Sequence, residues 1–241
     1  MSRANVSPPA FDTLPHSRTP LALMKIDVPG HPDSLRPGKL LCIGRNYVKH
    51  ADEMGGDVPD EPMVFLKPST ALVRSGGAVV LPPPSEEVHH EVELVAVIGT
   101  DGKHIAEEGA LEHVAGYAAG LDMTARDLQR AAKQRRHPWS VAKGFDTFAP
   151  LGPIVPAADA PDVRDAAIRL SVNGETRQDG HTRYMIFSVA QLVAYCSTVF
   201  TLEAGDLLYT GTPEGVGPVA EGDRLAATVE GLPPLEVDVR R

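Results

Sequence analysis

The chain has little of what disulfide-bonded and membrane proteins need. Its 241 residues include only two cysteines, Cys42 and Cys196, which show no zinc-ligand spacing. No apolar run approaches the roughly 20 residues of a membrane span. The first 20 residues carry four prolines and lack the apolar core of a signal peptide. We therefore expect a cytoplasmic protein with a flexible N-terminal arm and no membrane partner. A transit peptide is the alternative for this arm, although its prolines oppose an amphipathic helix.

Positive charge is also scarce. The chain has 23 basic and 32 acidic residues, a net charge of -9, and its densest basic point is the pair Arg135-Arg136. So short a pair cannot provide a phosphate-binding surface, and nucleic acid is not expected as a partner. The 22 glycines and 22 prolines indicate many turns and favour a β-rich fold.

Two acidic residues stand at the start of a buried strand. Val95 to Ile98 form a short apolar run that ends at Gly99, which predicts a strand buried on both faces. Glu91 and Glu93 lie two residues apart just before it, so their side chains share one face. Two close carboxylates repel each other, and a cation between them would relieve the repulsion. The alternative is a solvated strand end with two surface glutamates.

Asp122 is the third candidate metal ligand, at the end of the small apolar segment 116–121. A set of three carboxylates favours a hard, oxygen-preferring ion, Mg²⁺ or Mn²⁺ rather than Zn²⁺. Asp122 could instead cap the helix that follows it. Thr124 and Asp127 have the spacing of a capping box, which predicts a helix from about Ala125 to about Gln134.

Three further side chains are candidates for catalysis. His50 and Glu53 lie three residues apart in the long acidic loop 48–62, where a carboxylate could orient an imidazole as a general base. Lys143 follows an apolar stretch and could hold an anionic substrate or a developing enolate. A solvated turn and a surface lysine whose stem covers apolar neighbours are the respective structural alternatives.

Two more residues could contact a substrate carboxylate. Arg45 follows the apolar strand 40–43 and could bind a carboxylate through two hydrogen bonds, or form a structural ion pair. Thr212 lies in the glycine-rich loop 211–217, which has no Gly-Lys-Ser/Thr and is therefore not a nucleotide-binding loop. Its backbone N–H groups and hydroxyl could hold a small carboxylate.

The other local patterns concern the fold. Ile168, Leu170 and Val172 alternate with polar residues up to Asn173-Gly174, which predicts a β-hairpin. Ser188 and Gln191 have capping-box spacing. The apolar residues that follow recur at helical intervals and predict an amphipathic helix that buries Cys196.

Taken together and in order, these motifs resemble the fumarylacetoacetate hydrolase family, and in particular its acylpyruvase and oxaloacetate decarboxylase branch. The resemblance runs from about Gly38 to the C-terminus. It rests on the segments Gly44-Arg45-Asn46-Tyr47 with His50 and Glu53, His90-Glu91-Val92-Glu93, Leu121 to Asp127, Ala142-Lys143, Val172 to Glu175, Met185 to Ser188, and Gly211 to Gly217.

The resemblance implies a mixed α/β, β-rich fold, a mixed β-sandwich roll with short helices that works as a homodimer. It implies an N-terminal arm and lead-in over residues 1–37 and a catalytic domain over 38–241. It implies Mg²⁺, with Mn²⁺ possible, on three acids, a lid with a catalytic dyad, a lysine in the pocket and three substrate contacts. These are Glu91, Glu93 and Asp122 for the metal, His50 and Glu53 for the dyad, Lys143, and Arg45, Gln129 and Thr212 for the substrate.

The implied reaction is hydrolysis of a C–C bond in acylpyruvate-type 2,4-dioxo acids such as fumarylpyruvate, decarboxylation of oxaloacetate, or both. A 2-oxo acid can chelate Mg²⁺ through its carboxylate and keto oxygen, and both reactions then leave the enolate of pyruvate on the metal. Two alternatives stay open: a tautomerase or isomerase of 2-oxo diacids, and a metal-stabilised binding protein without turnover.

Overall fold

The structure is a computed structural model that describes residues 24–48 and 59–241. The proposed dyad, His50 and Glu53, lies outside these residues, as does most of the proposed lid. Among the described residues, sixteen strands and three α-helices are found, together with 3-10 turns.

The strands account for most of the regular structure. In chain order they are β1 (Leu40–Gly44), β2 (Met63–Lys67), β3 (Leu72–Arg74), β4 (Ala78–Val80), β5 (Val88–His90), β6 (Val92–Ile98), β7 (Val114–Leu121), β8 (Thr124–Ala125), β9 (Ala149–Leu151), β10 (Val155–Pro156), β11 (Ala167–Val172), β12 (Glu175–His181), β13 (Leu207–Tyr209), β14 (Gly217–Val219), β15 (Arg224–Val229) and β16 (Leu235–Arg240). The helices are α1 (Arg126–Arg135), α2 (Ser140–Lys143) and α3 (Val189–Val199).

The largest sheet has the order β2-β1-β13-β6-β7-β9-β3, with β10 paired to β7. Strand β6 lies in its interior between β13 and β7, and all seven of its residues are buried. An interior strand covered on both faces needs apolar residues on both, which explains the continuous apolar run. The predicted buried strand is therefore confirmed, and it begins three residues earlier than expected, at Val92.

The core lies on both faces of this sheet. Alternate residues of β6 enter different clusters: Leu94, Ala96 and Ile98 pack in one, and Val95 and Val97 in the other. The first cluster is shared with a five-stranded sheet of order β12-β11-β15-β16-β4, whose strands β11 and β15 contact β6 and β7. The second is covered by the segment that carries Ile26 and Val28. The molecule is thus built on two packed sheets.

The hairpin between β11 and β12 turns at Asn173-Gly174, as predicted. Asn173 and Gly174 both have positive φ, 54° and 83°, which is the backbone of a two-residue turn that joins twisted strands. A third, three-stranded sheet has the order β14-β5-β8 and lies next to the acidic residues. The predicted β-rich roll with few short helices is confirmed.

The two capping predictions have different outcomes. Ser188 caps α3 and Gln191 returns the hydrogen bond, so the full capping box is present, and Cys196 is buried on the helix. The capping box at Thr124 is wrong. Helix α1 begins at Arg126, and its N-cap residue is Ala125. Thr124 belongs to β8 instead, and its hydroxyl donates to the carbonyl of Asp122. No helix among the described residues has the length and hydropathy of a membrane span.

Candidate active site

The three acids meet where β6 begins and β7 ends. The two strands are antiparallel neighbours, with Val92 opposite Leu121, so Glu91 and Asp122 lie beside each other at the same edge. The Asp122 N–H donates to the Glu91 carbonyl at 2.9 Å, and this bond holds the two segments together. One carboxylate oxygen each from Glu91, Glu93 and Asp122 lies within 4.8 Å of the others. The strand pairing alone therefore builds an all-carboxylate cluster.

The cluster is shielded from solvent. Glu91 is 5% exposed, and Glu93 and Asp122 are each 1% exposed. This rules out the surface interpretation of Glu91 and Glu93, since a solvated strand end would leave them accessible. Asp122 does not act as a helix cap either. Its carboxylate contacts two lysines, and the N-cap position of α1 is Ala125.

Lys143 bridges two of the three acids. Its Nζ lies 2.8 Å from Glu91 Oε2 and 2.5 Å from Asp122 Oδ2. Burial alone would lower its pKa, but the negative charges of Asp122 and Glu91 outweigh burial and raise the pKa above its ordinary value. The Lys143 ammonium can therefore stabilise negative charge in the cavity and donate hydrogen bonds.

Lys67 is a second buried lysine that sequence reasoning missed. It ends β2 and is 1% exposed. Its Nζ lies 2.5 Å from Asp122 Oδ1 and donates to the carbonyls of Met123 at 2.8 Å and Phe148 at 2.5 Å. The ammonium thus ties one oxygen of Asp122 to two backbone carbonyls, that of the next residue, Met123, and that of Phe148. A lysine placed directly after an apolar strand, before Pro68, was the available signal.

Arg126 was also missed, although it lies within a motif that carries the family resemblance. Its guanidinium hydrogen-bonds Glu91 Oε1 and donates to Gln129 Oε1 at 2.8 Å. Both side chains come from the first turn of α1, so the helix delivers a cation and an amide to one side of the cluster. Gln129 is 3% exposed and is one of the predicted substrate contacts.

Glu93 is held by the glycine-rich loop. The N–H of Gly211 donates to Glu93 Oε2 at 2.8 Å. Gly211 has φ of 96°, and a Cβ there would lie 2.7 Å from the Cβ of Asn46, so only glycine fits this approach. Burial and the charges of Asp122 and Glu91 raise the pKa of Glu93 well above its ordinary value. A divalent cation in the cluster would oppose both effects, because a positive charge favours the ionised form of Glu93.

The predicted substrate contacts face the same cavity as the acids. Arg45, Gln129 and Thr212 line it together with the three acids and Lys143. Arg45 has φ of 59°, a left-handed backbone that turns the chain sharply after β1. The remaining lining residues are Ile43, Gly44, Phe65, Arg126, Lys133 and Trp139. The roles predicted for Arg45, Gln129 and Thr212 stay predictions, but the fold brings all three to one place.

Comparison with protein families gives one match over most of the chain. Residues 39–240 match the model described as fumarylacetoacetate (FAA) hydrolase, C-terminal. The chain is 47% identical over 203 residues to "Oxaloacetate tautomerase FAHD1, mitochondrial" from Arabidopsis thaliana, which covers 84% of this chain and 91% of that protein. It is 44% identical over 195 residues to "Oxaloacetate decarboxylase, mitochondrial" from Dictyostelium discoideum, over 80% of this chain and 89% of that protein.

A solved structure agrees with these relatives. The crystal structure of fumarylpyruvate hydrolase from Pseudomonas aeruginosa, in complex with Mn²⁺ and pyruvate, superposes with a TM-score of 0.86 at 43% identity. The match covers 93% of this chain and 99% of that one. Sequence and structure comparisons therefore lead to the same family.

Proposed function

Because this chain belongs to the fumarylacetoacetate hydrolase family, we propose that it converts 2-oxo acids through a pyruvate enolate. The substrates would be acylpyruvates such as fumarylpyruvate, cleaved by hydrolysis of a C–C bond, or oxaloacetate, which loses CO₂. One observation carries the proposal: three buried carboxylates within 4.8 Å share a cavity with a buried lysine, Lys143. Relatives named for both chemistries support it.

We propose Mg²⁺ as the cofactor, with Mn²⁺ able to replace it. The residues present fit such an ion, because three oxygen donors lie together in a buried place where their charges repel. Glu93, whose pKa is raised by this repulsion and by burial, is the clearest sign that a positive charge would stabilise the cluster. Glu91, Glu93 and Asp122 would hold the ion, which supplies Lewis-acid stabilisation to a bound keto oxygen.

The chain's own cations would bind and orient the substrate. Arg45 presents a guanidinium that can hold a carboxylate through two hydrogen bonds, and Thr212 lies across the same cavity. Lys143 lines the same cavity, and its ammonium would donate to the enolate oxygen as the C–C bond breaks. Stabilising the same enolate serves hydrolysis and decarboxylation alike.

Hydrolysis also needs a base, and we propose His50 oriented by Glu53. His50 would take a proton from water, and the resulting hydroxide would attack the distal carbonyl of the acylpyruvate. The bond between that carbonyl carbon and the pyruvate methylene then breaks, and its electron pair forms the enolate. Protonation of the enolate carbon gives pyruvate, and the acyl group leaves as a carboxylate. Decarboxylation needs no such water.

A second candidate is tautomerisation of oxaloacetate between its keto and enol forms. The observation that favours it is the 47% identity to a plant protein named oxaloacetate tautomerase. The reaction moves one proton between carbon and oxygen and breaks no C–C bond. It would use the same cavity and cation, with the dyad as a proton shuttle.

Three reactions on two substrates separate these possibilities. Fumarylpyruvate cleavage and oxaloacetate decarboxylation both release pyruvate, which a coupled dehydrogenase assay measures. Tautomerisation changes the enol absorbance of oxaloacetate without releasing pyruvate. Pyruvate release that disappears in Lys143→Ala supports the proposal. Enol conversion alone favours the tautomerase, and the absence of all three reactions with Mg²⁺ present contradicts both enzyme functions.

We also propose a cytoplasmic homodimer. Large apolar side chains that remain exposed support association: Val141 is 70% exposed, and Leu66, which lines a surface cavity with Trp139, is 42% exposed. Sedimentation equilibrium measures the mass directly, and a mass of one chain at micromolar concentration would contradict the dimer.

A further inference from the structure

The side chain of Gln178 joins the two segments that build the cavity. Gln178 lies on β12 and is fully buried. Its Oε1 accepts from the N–H of Val92 at 3.0 Å, next to Glu91, and its Nε2 donates to the carbonyl of Pro213 at 3.0 Å. A backbone N–H can only donate and a carbonyl can only accept. These two contacts therefore fix which end of the amide is oxygen and which is nitrogen.

The fixed amide determines what the hydroxyl of Thr212 can do. The second Nε2 hydrogen of Gln178 points at Thr212 Oγ1, 2.9 Å away. An amide nitrogen has no lone pair to offer, so the Thr212 oxygen must be the acceptor in this bond. Within residues 24–48 and 59–241, the Thr212 hydroxyl donates to no other group. Its own hydrogen remains for a ligand.

Thr212 is placed to use that hydrogen. It is 2% exposed and lines the cavity that also contains the three acids and Lys143. The loop that carries it is held on both sides, by the Gly211 N–H on Glu93 and by Gln178 on Thr212 and Pro213. The hydroxyl is thus held with one of its two lone pairs occupied and its hydrogen available.

We infer that Gln178 is a positioning residue that keeps the hydroxyl hydrogen of Thr212 available for an anionic oxygen of the substrate. This inference rests on the proposed function, since a 2-oxo acid supplies the carboxylate oxygen. With Gln178 in place, one of the two lone pairs of Thr212 Oγ1 is occupied, and the hydroxyl hydrogen cannot turn toward Gln178. The cavity therefore favours a ligand oxygen that accepts from Thr212.

The donor role is tested with oxalate, a planar dicarboxylate that resembles the chelating end of a pyruvate enolate. Its inhibition constant is measured for the Mn²⁺-loaded enzyme, and Mn²⁺ affinity is measured separately by electron paramagnetic resonance. A hydrogen bond to a charged oxygen predicts about 10- to 100-fold weaker oxalate binding in Thr212→Val. Thr212→Ser, which keeps a hydroxyl, should lose less. Mn²⁺ affinity should be unchanged in both.

Thr210→Val is the matched control. Thr210 is also a buried threonine of the same segment, but its hydroxyl donates to the Leu94 carbonyl at 2.9 Å and does not line the cavity. The control should lower stability without weakening oxalate. Oxalate binding in Thr212→Val that equals the wild type would overturn the donor role.

The positioning role is tested by measuring the effect of Thr212→Val in two Gln178 backgrounds. Gln178→Met cannot hold the hydroxyl, and Gln178→Glu offers it an acceptor in place of a donor. With Gln178→Glu the Thr212 hydroxyl donates to the new carboxylate, so Thr212→Val should weaken oxalate much less than it does in the wild type. With Gln178→Met the hydroxyl is still able to donate to oxalate, so most of the Thr212→Val loss should remain. A simple charge or packing effect of the Gln178 change would leave the full Thr212→Val loss in place.

Each outcome supports or overturns the inference. A folded Gln178→Glu variant, checked by thermal unfolding, closes the cycle. If Gln178→Glu does not fold, unequal oxalate affinities of Thr212→Ser and Thr212→Val support the donor role, and equal affinities overturn it. If the wild-type enzyme turns over 2-oxo acids but Gln178→Glu does not change the loss of oxalate affinity caused by Thr212→Val, only this inference is contradicted. Wild-type enzyme that binds no oxalate in the presence of Mn²⁺ contradicts the proposed function and this inference together.

Discussion

Replacing Lys67 by methionine should destabilise the protein strongly. Methionine has a similar length but no charge and no hydrogen to donate. The change removes an ammonium that lies 2.5 Å from Asp122 Oδ1 in a place where both residues are 1% exposed. Breaking a buried ion pair by deleting one partner costs about 3–5 kcal/mol, because the other charge remains buried.

The structure places the cost at the lower end of this range. Asp122 keeps a second cation, since Lys143 lies 2.5 Å from its other oxygen. The Phe148 carbonyl keeps a donor, the N–H of Met123 at 3.0 Å. We therefore expect Lys67→Met to lower the free energy of unfolding by about 3 kcal/mol, a large share of the roughly 5–15 kcal/mol that stabilises a typical domain.

Urea unfolding measures this value, and an unchanged m-value shows that two-state comparison is valid. Lys39→Met is the matched control, because Lys39 pairs with the buried Asp206 at 2.5 Å but its side chain is 21% exposed. Lys39 also lies at the end of the sheet opposite Glu91, Glu93 and Asp122. The control should cost less and leave Mn²⁺ affinity intact. Combining Lys67→Met with Asp122→Asn should recover part of the loss, since the buried charge is gone. Wild-type stability in Lys67→Met would refute the reasoning.

Three further predictions follow from the site and its surroundings. His50→Ala should reduce acylpyruvate cleavage about 10²–10⁴-fold and oxaloacetate decarboxylation much less, whereas Lys143→Ala should reduce both. The measurement is the ratio of the kcat/KM values for the two reactions, and an unchanged ratio in His50→Ala counts against a water-activating base. Oxalate should protect loop 48–62 from limited proteolysis, and equal cleavage with and without it contradicts lid closure. Asp127→Asn should cost stability at neutral pH but not at low pH.

The pH dependence of the Asp127 effect has a definite sign. Partial burial would raise its pKa, but hydrogen bonds from the Glu86 N–H, the Ser85 hydroxyl and the Leu128 N–H outweigh burial and lower the pKa. The folded protein therefore holds this carboxylate ionised more strongly than the unfolded chain. Its stabilisation is complete above the unfolded-state pKa of about 3.9 and is lost as pH falls through the lower folded-state pKa. Urea unfolding of both proteins between neutral and acidic pH measures the difference.

Local rules succeeded where the partners are close in sequence. Asn173-Gly174 and the Ser188 capping box need only residues within one turn, and both are found as predicted. The capping box at Thr124 failed because distant partners compete. Thr124 pairs with His89 across β5 and β8, and Asp127 is satisfied by Ser85 and Glu86 from another loop. Tertiary contacts of this kind override a local pattern.

In the candidate site, too, local spacing was predictive and distant contacts were not. The i, i+2 spacing of Glu91 and Glu93 predicted that their carboxylates share a side, and Asp122 at the end of the apolar segment 116–121 was predicted as the third ligand. Lys67 and Gln178 could not be found this way, since their partners lie on other elements that only the folded sheets bring near. Buried lysines and glutamines read as ordinary surface residues until their burial is known. The fold and the acidic cluster were thus accessible from sequence, but the network that orients the cluster was not.

The most direct test of the central claim is reversible loss of 2-oxo acid turnover on metal removal. Chelation should abolish pyruvate release from fumarylpyruvate or oxaloacetate, and Mg²⁺ or Mn²⁺ should restore it. Glu91→Gln, Glu93→Gln and Asp122→Asn, each shown to be folded, should not be restored by the metal. Full turnover in metal-free enzyme, or in any one of these three variants, would contradict a catalytic metal on this cluster.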